Sequence, residues 1–189
     1  MTLRTVRVLF FGALSVLLHG CGGGSTEAQP RSFDLGINAP GARLPAARIA
    51  SVRAVTPFES TDMQYRLAYR NAAEIATFAN SRWAAAPADL LRKQLLRAAH
   101  EKSGKCVLDV EIQEFTQVFS AKETSEARVE LRAWLGAAGG RSAVATRGWS
   151  LVEPNAGADA VSGAAAFARA ADRAIGELGG WIAAQPDCR

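Results

Sequence analysis

Histidine is nearly missing from this chain: His19 and His100 are the only two in 189 residues. Cysteine is almost as scarce, at three. One histidine and two well-separated cysteines in the body of the chain leave no four-ligand zinc site. His100 falls at the expected end of a helix, where a lone histidine is a solvated C-terminal cation. No G-x-S-x-G elbow occurs. Gly104-Lys105 is not a phosphate loop, because Ala99 stands where its first glycine belongs and Cys106 replaces the Ser or Thr. No run of five basic residues exists, and the net charge is only +4, so nucleic acid is not an expected partner. No apolar run reaches the roughly 20 residues of a membrane-spanning helix. Neither a metal nor a cofactor is expected, and the chain reads as a non-enzyme.

What is present begins near the N-terminus. Arg4 and Arg7 precede an apolar run from Val8 to Leu18, followed by His19-Gly20-Cys21 and then Gly22-Gly23-Gly24-Ser25. A basic start, an apolar core of about 11 residues and small residues at the cut form a secretory signal. A cysteine directly after the cut resembles a bacterial lipobox, in which that thiol is acylated. Residues 1–20 are therefore expected to be a lipoprotein signal peptide, and 21–31 the lipidated Cys21 with a flexible Gly/Ser/Pro tether. Residues 32–189 form the domain. By resemblance to enterobacterial sorting rules, Gly22 rather than Asp after the cysteine implies the periplasmic face of the outer membrane over retention in the inner one. Loss of Arg4 and Arg7 brings the net charge to about +2.

About 158 residues suffice for one domain with a real core. Cys106 and Cys188 can pair in an oxidising compartment, closing a loop of about 80 residues. The alternative is two free thiols.

Strands are expected at Ser32–Ile37, Arg48–Val55, Gln64–Arg70 and, briefly, Glu74–Ala79. Pro87 and Asp89 suit the start of a helix that carries Leu90, Leu91 and Leu95 and ends at Gly104. Cys106 to Val118 alternates, with a phase slip at Gln113-Glu114 that a β-bulge would absorb. Ala127 to Leu135 alternates cleanly, and Ser142 to Val152 follows a glycine-rich turn. Ala164, Ala168, Ala171, Ile175, Leu178 and Ile182 form one stripe on a final helix over Ala158–Ala183. Strands then helix, twice over, predicts an α+β domain. Its sheet is largely antiparallel and covered on one face by two helices.

Asp109 and Glu111 share a strand face, which is a solvated face rather than an acid–base pair. The aromatic and arginine positions say more. Trp134 falls on the charged face of the cleanest strand, beside Arg128 and Arg132. Trp, Tyr and Arg are enriched where partners dock. Either a partner or a loop of the same chain would cover Trp134. Tyr69 and Arg70 on the expected strand, and Arg82 and Trp83 before the helix, join the candidate partner-binding residues.

Gln64-Tyr65-Arg66-Leu67-Ala68-Tyr69-Arg70, Ser81-Arg82-Trp83-Ala84-Ala85-Ala86-Pro87 with Leu90-Leu91, and Val110 to Phe115 resemble motifs of the ABC-type transport auxiliary lipoprotein family. Its Pqi-type members are outer-membrane lipoproteins of MCE- or Mla-like transport systems. The lipobox and the alanine-rich final helix with Trp181 belong to the same resemblance. Ala85-Ala86 departs from it, where an acidic residue or a second proline is common. The resemblance implies a non-catalytic accessory of an envelope lipid transporter, with an MCE-domain protein and ABC transporter components as partners. It also admits a homo-oligomer, since some relatives form rings. Two other readings use the same residues. One is an assembly or pilot lipoprotein of a different envelope machine. The other is a lipid carrier, which would need a large apolar cavity.

Overall fold

The computed structural model describes residues 29–37, 41–45, 47–99, 105–139 and 143–188. Cys21, the signal segment, most of the tether, His100 and Gly104 lie outside the described residues. The element order is β1 (Arg31–Phe33), β2 (Ala47–Ala54), β3 (Asp62–Leu67), α1 (Ala68–Asn71), β4 (Ala76–Trp83), α2 (Pro87–Ala98), β5 (Cys106–Ala121), β6 (Thr124–Ala137), β7 (Ala143–Pro154) and α3 (Ala160–Ala183). A short 3₁₀ turn, Pro186–Cys188, follows. This is the expected single α+β domain, with strands then helix twice over.

One seven-stranded sheet runs β1-β4-β3-β5-β6-β7, and β2 also pairs with β5. β5 is long enough to host two parallel neighbours along one edge. β2 pairs with it from Cys106 to Ile112, and β3 from Gln117 to Phe119. β5–β6, β6–β7 and β3–β4 are antiparallel.

The strict alternation in β5 and β6 produces two unlike faces. Cys106, Leu108, Val110 and Ile112 are all fully buried. The register with β6 then shifts between Ile112 and Glu114, at the expected bulge. From there the inward positions are Phe115, Gln117 and Phe119. Ala127, Val129, Leu131, Ala133 and Leu135 supply the inner face of β6.

Both long helices cover that inner face. α3 opens on an Asp159–Ser162 capping box: the Ser162 N–H donates to Asp159 Oδ1 at 2.8 Å. Its buried side is wider than the expected stripe, because Phe167, Ala170 and Ala174 also meet the core. Small residues permit the close approach. A Cβ at Gly179 would lie 2.8 Å from the Arg43 carbonyl oxygen, and one at Gly163 would lie 2.2 Å from Gln117 Oε1.

Four expectations need correction. The first strand stops at Phe33, because the chain turns at Gly36 (φ +86°), whose N–H is taken by Asp34 Oδ1. Ile37 is consequently 84% exposed. The strand expected to reach Arg70 ends at Leu67, and Tyr69 and Arg70 sit on α1. The expected short strand to Ala79 continues to Trp83, so Arg82 and Trp83 belong to β4 rather than to a helix lead-in. The helix from Pro87 ends at Ala98, where the Ala98 carbonyl accepts from Leu44 N–H at 3.0 Å and Ala99 is already extended.

Candidate functional site

The outer sheet face, opposite α2 and α3, collects most of the singled-out residues. In β6 the outward positions are Glu126, Arg128, Glu130, Arg132 and Trp134, and their β5 neighbours are Glu114, Glu111 and Asp109. Trp134 is half-buried, and two guanidinium groups lie near its ring. Arg53 of β2 lies 5.1 Å from its ring centroid and Arg132 lies 5.5 Å. Both distances are within cation–π range. Arg53 also binds Glu111 at 2.8 Å. Sequence reasoning missed Arg53, because parallel pairing of β2 with β5 joins residues 58 positions apart.

Hydrogen bonds dominate the electrostatics here. The Glu111 carboxyl is held below the ordinary carboxylate range, first by the Gln113 side chain and then by Arg53, with burial opposing. Asp109 accepts from Ser51 Oγ at 2.5 Å. Further along the face, Arg66 forks Glu114 through Nε (3.2 Å) and Nη2 (3.1 Å). Arg128 Nη2 donates to Glu126 at 2.8 Å.

The remaining candidates divide. Tyr69 and Arg70 are exposed on α1, which packs against β5. Arg82 is exposed on β4, with Nε 3.4 Å from Ser32 Oγ. It is three strands from β6 in the sheet order, about 14 Å away at normal strand spacing. Trp83 is not a surface residue. It is 1% exposed and packs edge-on against Phe115 (5.4 Å) and Phe167 (5.3 Å). A register irregularity in β4 turns it inward, so it is a core anchor and not a contact for a partner.

Cys106 and Cys188 form a disulfide with Cα atoms 5.1 Å apart, tying the C-terminal turn to the start of β5. Among the described residues there is no group of three or more side chains able to hold a metal ion. None of their helices is long and apolar enough to cross a membrane.

No family model matches this chain. No curated protein matches it either. Solved structures do. One, a Xanthomonas campestris protein described as DUF330, is 21% identical, covering 82% of this chain and 87% of its own, at a TM-score of 0.62. An uncharacterized protein is 13% identical over 82% of this chain and 99% of its own, at a TM-score of 0.61. These likenesses establish a shared fold. A Caulobacter crescentus CB15 protein, provisionally described as a lipoprotein, is 18% identical over 50% of this chain and 79% of its own, with a TM-score of 0.33. That last similarity is too low to carry an argument.

Proposed function

We propose that this chain is a non-catalytic lipoprotein of the outer membrane. It would serve as an auxiliary component of an ABC/MCE-type lipid transport system and dock the periplasmic conduit there. The acylated Cys21 would hold the domain on its tether, within about 35 Å of the bilayer for ten extended residues. Several acyl chains anchor firmly where one would be marginal. The reading rests on the family resemblance of the Tyr-Arg, Arg-Trp-Ala and Val-to-Phe segments, joined to the lipobox.

One observation carries the docking role: Trp134 stands within cation–π distance of Arg53 and Arg132 on a face that neither long helix covers. A large aromatic with arginine neighbours is the composition of a binding hot spot. Partner residues in this reading are Trp134, Arg132, Arg128 and Arg53, with Tyr69 and Arg70 at the margin.

Cross-linking in cells, followed by identification of the captured proteins, tests the assignment. Recovery of an MCE-domain protein or a transporter subunit supports it. Recovery of a secretin or a cell-wall complex instead would replace it with the assembly-lipoprotein reading. Mass spectrometry of the mature N-terminus tests the anchor: an acylated Cys21 is expected, and an unmodified cysteine or a different cleavage site contradicts it.

A further inference from the structure

Two exposed glycines, Gly148 and Gly180, are not required by the packing of this chain. Gly148 lies mid-strand in β7, outside the positive-φ region, and a Cβ there would make only an ordinary contact, 3.6 Å from the Leu131 carbonyl oxygen. Gly180 lies on α3, and a Cβ there would meet nothing within 4 Å. Glycine inside a strand or helix costs stability. In a strand it often marks where another backbone comes close.

Both glycines border a free edge of the sheet, since β7 ends the strand order. The Asn155 N–H points toward β6, to the Ser125 carbonyl. The carbonyls of Val152 and Pro154 point the other way, accepting from Arg173 Nη1 (3.1 Å) and Arg169 Nη2 (2.5 Å). These directions alternate along a strand, and the β6–β7 register is unbroken from Ala145 to Pro154. Thr146, Gly148 and Ser150 therefore aim both N–H and C=O away from β6. All three are exposed, and no described residue bonds those groups. Sheets blunt such edges with short strands, bulges, prolines or covering groups. β1 has only three residues, β2 carries a register irregularity, and Pro154 with the two arginines covers one end of β7. The middle of β7 has no such cover.

The order of residues there fits a second copy of the same strand, antiparallel about a two-fold axis at Gly148. Gly148 then faces Gly148 of the second copy. Thr146 faces Ser150, and Arg147 faces Trp149, each twice. Hydroxyl pairs and arginine on tryptophan are favourable cross-strand neighbours, and no like charges stand directly opposite. Such an axis is perpendicular to the sheet, so the second α3 arrives on the same side, antiparallel to the first. A groove of about 550 Å³ between β7 and α3 faces it, lined by Arg147, Arg173, Gly176, Glu177, Gly180 and Trp181. Gly176, Gly180 and Ala184 recur at four-residue steps, exposed, and permit close approach. Glu177 makes no ion pair among the described residues, which leaves a carboxylate for the second copy's arginines.

We propose that two copies of this chain join β7 to β7, antiparallel, in one continuous sheet with both outer faces on the same side. The dimer does not rest on the docking reading: it is defined by backbone groups of one edge, and cross-linking to other proteins reads docking separately.

Sedimentation of the purified full-length protein should show a monomer–dimer equilibrium. Gly148→Pro removes the two central donors of the joint and none of the β6 ladder. It should weaken the dimer by at least about tenfold with the melting temperature nearly unchanged. Cysteine trapping under mild oxidation reads the register and needs no proline variant to fold. Gly148→Cys should give a disulfide-linked dimer, since facing Cα atoms of a bonded antiparallel pair are about 5.5 Å apart. Thr146→Cys should link to Ser150→Cys in a mixture but not to itself, because two Thr146 positions would lie roughly 14 Å apart. A chain that stays monomeric up to about 1 mM, assemblies larger than a dimer, or association without these cross-links would overturn the proposal. A monomeric chain that loses a captured protein in cells when Gly148→Pro is made would also overturn it, and would assign the edge to a strand of that protein.

Discussion

Trp83 and Trp134 stand on opposite faces of one sheet, and their surroundings differ in kind. Trp83 is enclosed by Phe115 and Phe167, which themselves stack at 4.3 Å. Trp134 is half-buried, with Arg53 and Arg132 within cation–π distance of its ring. The inner face buries apolar area, about 25 cal/mol for each Å² removed from water. Apart from the more enclosed Arg66–Glu114 fork, the outer face offers part-exposed ion pairs, each worth about 0–1 kcal/mol. Stability therefore resides mainly on the inner face, and the proposed docking role falls on the other.

The strongest way to break this comparison is to empty the inner face. Trp83→Ala should cost about 3–5 kcal/mol in denaturant unfolding. If it costs under about 1 kcal/mol, Trp83 is not the anchor described. Next in size is the C-terminal tie. Cys188→Ser opens a loop spanning 82 positions and should cost about 2–5 kcal/mol. The same substitution in protein already reduced should change nothing further, and a large additional loss there would point to packing instead. Asp159→Ala removes the cap of α3 and should cost about 1 kcal/mol. Ser162→Ala should incur part of the same loss, and the double variant less than the sum of the two, because the two side chains act as one box.

Much of this division was legible in the chain. Strict alternation in β5 and β6 marked the two faces, and the slip at Gln113-Glu114 marked the bulge. Alanines and aliphatics at helical spacing marked α3. Alternation alone ends β4 too early, because the register shift between Asp62 and Gln64 lets Phe78 and Trp83, on opposite parities, both turn inward. Alternation breaks there, and with it the signal. Tyr69 continued the phase of Tyr65 and Leu67, yet the chain turns into α1 after Leu67. Of the candidate site, Trp134, Arg128 and Arg132 were visible as aromatic and basic residues on one strand. Arg53 and the Arg66–Glu114 fork were not, since they depend on which strands become neighbours of β5.

Acid gives a smaller and more local probe of the outer face. Glu111 and Asp159 both have carboxyls held below their ordinary values. The first cause is the Gln113 hydrogen bond for Glu111 and the Ser162 backbone N–H for Asp159. A depressed folded-state value means that their contribution is present above the unfolded value, near pH 4, and fades as pH falls through the folded one. Asp172 runs the other way: burial raises its carboxyl, so ionising it as pH rises disfavours the fold. Melting temperature should thus fall modestly below about pH 4, and Glu111→Gln should flatten part of that fall. An unchanged acid limb in Glu111→Gln would remove Glu111 from the account.

The most direct test pairs folding with capture at Trp134. Trp134→Ala should melt within a few degrees of the unaltered protein, a loss under about 1 kcal/mol. In cells, it should lose most of its cross-linked conduit partner. A variant that melts as early as Trp83→Ala, or that keeps full cross-linking, would contradict a docking role for the outer face.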